Sequence, residues 1–213
     1  TLPLARHRND ESDLDHVRRR LAKKSERRRI DQTDEHGATA LTWRSGWGHL
    51  RHVRVLLDHG ADPNTADNDG MTPLIIASQF GHEEVAHLLL DHGANINQTM
   101  NGGFTSLYIA SKNGHEEVAR VLLDHGANIN QAANDGATPL YIASQVGHEE
   151  AVRLLLDREA NVNQACNDGG APLFIASQEG HLSLVCLLLD HGANVNQACN
   201  EGDAPLFVAS HKG

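Results

Sequence analysis

The chain has 213 residues, a formal net charge of −10, and 39% hydrophobic but only 4% aromatic residues. This composition suits a soluble protein, and no run approaches the ~18 apolar residues of a membrane span. Three cysteines (Cys166, Cys186 and Cys199) with no C-x-x-C spacing argue against a disulfide framework or a zinc knuckle, and reduced thiols point to an intracellular compartment.

The opening "TLPLARHRND" lacks an apolar core and a small-residue cleavage site, so no secretory signal is visible. The chain begins at Thr1, so a targeting segment could lie upstream. Residues 1–33 hold 10 of the 18 Lys and Arg against 6 acids, a net +4. The remaining 34–213 carry 8 basic and 22 acidic residues, or −14. "ESDLDHVRRRLAKKSERRRI" reads as a helix with acids early and bases late, which suits the helix dipole. Its stripe of Leu14, Val17 and Leu21 is expected to pack against the segment that begins at residue 34. The run 18–29, "RRRLAKKSERRR", is either a solvated helix face drawn toward the acidic remainder or a nuclear-localisation or nucleic-acid patch. No aromatic residues interleave with its bases, so stacking on single-stranded nucleic acid is unsupported.

From residue 34 the chain repeats itself. Gly37, Gly70, Gly103, Gly136, Gly169 and Gly202 recur every 33 positions, and so do Leu41, Leu74, Leu107, Leu140, Leu173 and Leu206. Nine of the 15 histidines fall on two further series, His49 to His181 and His59 to His191. One unit reads "DNDGMTPLIIASQFGHEEVAHLLLDHGANINQT" (67–99). Thr72 is a good N-cap and Pro73 suits the first helical position. Gly81 ends this short helix. A second helix starts near His82, with Glu83 and Glu84 at its positive end. Val85, Leu88 and Leu89 recur at helical spacing and are expected in the core. Gly93 is free to adopt a left-handed conformation, and "NINQ" before "NDG" or "NGG" is turn chemistry.

Helix, turn, helix and a turn-bearing loop within each such period resembles the ankyrin repeat family. Thr72-Pro73-Leu74 with Ala77, and Thr138-Pro139-Leu140 with Ala143, match its T-P-L-x-x-A core. The Gly-His start of the second helix and the G-A-x-x-N hairpin match as well. The resemblance implies an all-α solenoid of stacked helix-turn-helix units joined by hairpin-like loops. Five full units are expected at 34–66, 67–99, 100–132, 133–165 and 166–198, with a partial sixth at 199–213.

Departures from the family pattern carry information. The position after T-P-L, His in many ankyrin units, holds Thr42, Ile75, Tyr108, Tyr141, Phe174 and Phe207, which predicts a hydrophobic packing ladder. Glu159 replaces the hairpin glycine of unit 4 and predicts local strain. Ala171 and Ala204 replace the capping threonine, so the C-terminal units are expected to be weaker. Leu206 and Val208 have no second helix to cover them, which suggests a fragment of a longer array or a frayed end. In unit 1 Arg44 stands where Ile76-Ala77 puts alanine, which is tolerable if that face meets solvent or an acidic partner.

"HEEVAH" (82–87) looks like a zinc-protease signature. H-E-x-x-H places its histidines four apart, about 40° around the helix, whereas His82 and His87 diverge by roughly 140°. No catalytic residue, cofactor site or metal ligand is therefore assigned. Cys166 and Cys199 sit one unit apart, about 8–10 Å, beyond the ~7 Å limit for a disulfide, and Cys186 reads as a small core residue.

The resemblance implies a non-catalytic scaffold that binds a partner protein on its concave face. The family's contact positions map here to Asn68, Asp69, Met71, Gln79, Phe80, Asn101, Phe104, Lys112, Asn113, Asn134, Asp135, Val146, Asn167, Asp168, Gln178 and Glu179. Met71, Phe80, Phe104 and Val146 are the apolar anchor candidates, and some of these residues could instead pack between units. Acidic tips suggest a partner with basic patches. A monomer in the cytoplasm is expected, with nuclear entry through 18–29 as the other reading. A regulatory portion of a larger enzyme or channel, or nucleic-acid association through the basic segment, are the alternatives.

Overall fold

The computed structural model describes residues 11–22 and 30–212. Among them are twelve α-helices and no strand, apart from an isolated bridge between Thr99 and Thr105. Helix α1 spans Glu11–Leu21. Five helix pairs come next: α2 (Ala40–Gly46) with α3 (Leu50–Asp58), α4 (Pro73–Gln79) with α5 (Glu83–Asp91), α6 (Ser106–Asn113) with α7 (Glu116–Asp124), α8 (Pro139–Val146) with α9 (Glu149–Asp157), and α10 (Pro172–Glu179) with α11 (Leu182–Asp190). Helix α12 is Pro205–Lys212.

The first helices of units 1 to 4 begin where the sequence places a threonine. Thr39, Thr72, Thr105 and Thr138 are extended N-caps whose hydroxyls accept from the backbone N–H three residues on. Ala171 takes the same backbone conformation with no side-chain bond. The second helices start at His82, His115 and His148, each followed by two glutamates in the first turn.

One core runs through the stack. Leu41, Leu74, Leu107, Leu140 and Leu173 of the first helices are buried with Leu56, Leu89, Leu122, Leu155 and Leu188 of the second. Each such side chain contributes about 1.5–3 kcal/mol by leaving water. Leu14, Val17, Leu21 and Ile30 join the same core, so the basic segment's apolar stripe packs on unit 1 as expected. The ladder position is a packing column from Thr42 to Phe174, all buried; Phe207 is half exposed. Leu206 of α12 is 80% exposed, unlike its five buried equivalents.

The first helices approach one another more closely than the second helices do.

Two expectations need correcting. Arg44 does not meet solvent: it is fully buried, with Nη1 2.8 Å from His49 Nδ1 and its guanidinium 5.6 Å from the Trp47 ring centre. The wide, flat Trp47 and the imidazole supply the partners that a plain alanine position lacks. Cys186 is not in the core but exposed on α11. It stands one repeat beyond Arg153, on the outward face of its helix.

Candidate protein-interaction surface

The repeat histidines are joints. Nε2–H of His82, His115, His148 and His181 donates to a carbonyl at the C-terminal end of the preceding unit's first helix, Gly46, Gln79, Lys112 and Gln145, at 3.0–3.1 Å. The glycines before His49, His82, His115 and His148 each make room for the histidine of the next unit's joint. Gly81 sits at φ +72, and a Cβ there would lie 2.7 Å from His115 Nδ1. Two demands, left-handed backbone and close approach of a ring, thus fall on one atom's absence.

The second histidine series works differently. Nδ1–H of His59, His92, His125 and His191 donates to the carbonyl four residues back, closing the second helix. Nε2 of His92, His125 and His191 then faces Asp58, Asp91 and Asp157 of the preceding unit at 3.7–4.0 Å. Arg158 makes the equivalent pair with Asp124 at 2.8 Å.

Hairpin asparagines are joints as well. The backbone N–H of Asn68, Asn101, Asn134 and Asn167 donates to the preceding hairpin at His36, Asp69, Gly102 and Asp135, at 2.8–2.9 Å. Asn68 and Asn167 add side-chain bonds to Glu35 and Asn134 carbonyls. These four residues recur every 33 positions. Their side chains are exposed, but their backbones are committed to the stack. A second ladder, from the side-chain Oδ1 of Asn64, Asn97, Asn130 and Asn163 to the next unit's backbone, runs through the loops.

The anchor candidates separate into two kinds. Met71 and Phe104 are half-buried against a cluster that contains Ile75, Tyr108, Ile109 and Tyr141. The Phe104 ring lies 4.8 Å from that of Tyr108. Phe80 and Val146 are 53% and 44% exposed. Both close a first helix, and with Trp47, Asn113 and Glu179 they form one column of unlike residues at the repeat spacing. Beside it stand Gln79, Lys112 and Gln178, of which Lys112 is exposed. Asn113 bonds the Ile109 carbonyl through Nδ2 at 3.0 Å.

Acidic tips stand at the other, hairpin end of the same first helices. Asp69, Asp135 and Asp168 are exposed. Asp135 and Asp168 each accept from a backbone N–H of their own turn. The Cys166 thiol donates to Asp168 at 2.7 Å, a bond that lowers the Asp168 carboxyl, while burial pushes the Cys166 thiol up. The thiol is therefore held neutral and is a poor nucleophile.

One cluster is not visible in the sequence alone. His87, Asp91 and His125 bring three potential ligand atoms within 4.8 Å of one another on the second-helix side. The i,i+4 step from His87 to Asp91 is readable along the chain. That His125 of the next unit joins them depends on the stacking register. Of the basic run 18–29, residues 23–29 lie outside the described residues, and no described helix is long and apolar enough to cross a membrane.

A rigid stack of like units that shows unlike residues on one face is a solenoid display scaffold. The chain belongs to the ankyrin repeat family: a family model described as "Ankyrin repeats (3 copies)" matches residues 8–100, 66–133, 98–166, 131–199 and 160–213. Ankyrin repeats generally mediate protein–protein interaction. The chain matches no curated protein sequence.

Proposed function

We propose that this array is a non-catalytic scaffold that captures a partner protein on its inner face, with Phe80 and Val146 as apolar anchors. The observation that carries this reading is their exposure in a column of unlike residues, beside Gln79 and Lys112, whose carbonyls are tied into the stack. The two anchors are two units apart, roughly 16–20 Å at ordinary helix spacing. That separation suits a helix or an extended segment of a partner. Asp69, Asp135 and Asp168 at the hairpin end of the first helices favour basic residues at the rim of that partner, where charge sets orientation and on-rate more than affinity.

The test uses the Phe80→Glu/Val146→Glu double variant beside the native chain. Both side chains are exposed, so thermal unfolding is expected to stay within about 0.5 kcal/mol. Capture of a partner by the native chain, lost in the variant and weakened by salt, supports the reading. Equal capture by both chains refutes it.

A further inference from the structure

We propose that His87, Asp91 and His125 form a three-ligand site for a divalent transition-metal ion of the zinc class on the second-helix side of units 2 and 3. His87 and Asp91 are one turn apart on α5, and Nδ1 of His87 lies 3.1 Å from Asp91 Oδ2. The other carboxylate oxygen lies 4.0 Å from Nε2 of His125. The two imidazoles meet edge to face with centres 4.9 Å apart. Tetrahedral bonds of about 2.0–2.1 Å put donor atoms roughly 3.3 Å apart, and side-chain shifts of about 1 Å or less bring these three donors to that spacing.

The tautomer of His125 is already set for coordination. The Val121 carbonyl 2.8 Å from Nδ1 can only accept, so Nδ1 carries the proton. In the neutral ring the lone pair is then on Nε2, which faces Asp91. A backbone carbonyl holding the far nitrogen of a metal-binding histidine is a recurrent means of orienting the ring and raising its basicity. Two imidazole nitrogens and one carboxylate oxygen favour Zn2+, Ni2+ or Cu2+ over the hard cations Mg2+ and Ca2+.

The rest of the array shows what is particular about this place. The pairing of a histidine with the previous unit's aspartate recurs at His92–Asp58 and His191–Asp157. Only His87 adds a second imidazole: the equivalent positions carry Arg54, Arg120, Arg153 and Cys186. Arg120 and Arg153 turn back to pair with Glu116 and Glu149 on their own helices. At unit 2 a ligand stands where those units place a cation. The groove beside it, about 240 Å3 and lined by Leu50, Arg54, Glu83, Glu84 and Leu88 together with His87 and Asp91, opens the pair to solvent. Three protein ligands leave a position for water, which suits reversible binding.

The experiment is calorimetric titration of the metal-free full chain with Zn2+, with histidine ring resonances followed by NMR. The expected result is one saturable site whose affinity falls at least about tenfold in His87→Arg, His125→Gln and Asp91→Asn. His92→Gln, in the equivalent ladder position without a third ligand, is expected to keep it, and excess Mg2+ does not compete. His87→Arg installs the residue of three sister units, Arg54, Arg120 and Arg153, so its thermal unfolding serves as the check on folding. Zn2+ binding that is equal in the native chain and His87→Arg, or that is lost equally in His92→Gln, overturns the proposal and leaves a ladder of facing histidine–aspartate pairs. Absence of saturable Zn2+ binding by the native chain overturns it too.

Discussion

Arg44 Nη1 donates to His49 Nδ1 at 2.8 Å inside unit 1. An arginine has no acceptor, so His49 must present its lone pair at Nδ1 and carry its proton at Nε2. The pair lets a guanidinium occupy a position that holds a small alanine in units 2 to 5. Arg44→Ala should cost on the order of 2–4 kcal/mol, through lost packing and the partners left behind. Arg44→Lys should recover little of it, because an ammonium does not reproduce the flat stack on Trp47. Urea unfolding followed by tryptophan fluorescence reads both. A cost for the alanine variant below about 0.5 kcal/mol, the range of ordinary surface substitutions, would show that the buried guanidinium gives no net support.

Glu159 sits at φ +63, where its equivalents are Gly60, Gly93, Gly126 and Gly192. A Cβ added to any of those glycines meets nothing within 4 Å. The strain expected from the sequence is thus purely a backbone cost, about 1–2 kcal/mol. Glycine returns part of this as unfolded-state entropy, about 0.4–1 kcal/mol. Glu159→Gly should gain about 0.5–1 kcal/mol, and thermal unfolding should rise by about 1–4 °C. An unchanged or lower midpoint would contradict a strained turn.

Ala171 and Thr72 share the same extended capping geometry, φ −93 against −90. Thr72, Thr105 and Thr138 are as buried as Ala171, so the pocket accepts a threonine elsewhere in the array. Ala171→Thr should place its hydroxyl on the Phe174 N–H and gain about 1 kcal/mol. Hydrogen exchange at Phe174 is the local readout, and slower exchange there is the expected outcome.

Tyr108 is buried, and burial with the nearby Asp135 charge raises its phenol to about 12. Burial raises Tyr141 as well, with a further push from Cys166. These are the chain's two tyrosines. For a folded value above the unfolded one, the stabilising contribution is present below pH 10 and is lost as pH rises toward 12. Phenolate absorbance should stay low between pH 10 and 11 in the folded chain and appear at once in urea. Ordinary titration near pH 10 in the folded chain would mean that the ladder admits water.

Asp34 gives the opposite dependence. Burial pushes its carboxyl up, but hydrogen bonds from Trp43 Nε1 at 2.8 Å and from the Ala38 and His36 amides outweigh this and hold it below 3.8. Its contribution is present above the unfolded value and is lost as pH falls through the folded one. The stability lost below about pH 4 should be smaller in Asp34→Asn, and the Trp43 signal should report the change. An acid profile identical to that of the native chain would remove Asp34 as a contributor.

Local sequence dictates the period, the helix starts and the buried columns. Those depend on neighbours within a few residues: a hydroxyl three residues before an N–H, or leucines on one helical face. The leucine columns and the threonine caps are legible for that reason. Relations between units are not. Asn68, Asn101, Asn134 and Asn167 look like display residues along the chain and their side chains are exposed, but the pairing of their amides across hairpins is not readable there. Met71 and Phe104 look like anchors, yet they pack beside Tyr108 and Ile109. Cys186 looks like core because its helix is apolar nearly all round, and only stacking decides which side of such a helix faces out. His87 has no second histidine at ligand spacing on its own helix. His125 reaches Asp91 only through the rise and rotation from one unit to the next, a property of packed surfaces rather than of any local stretch of sequence.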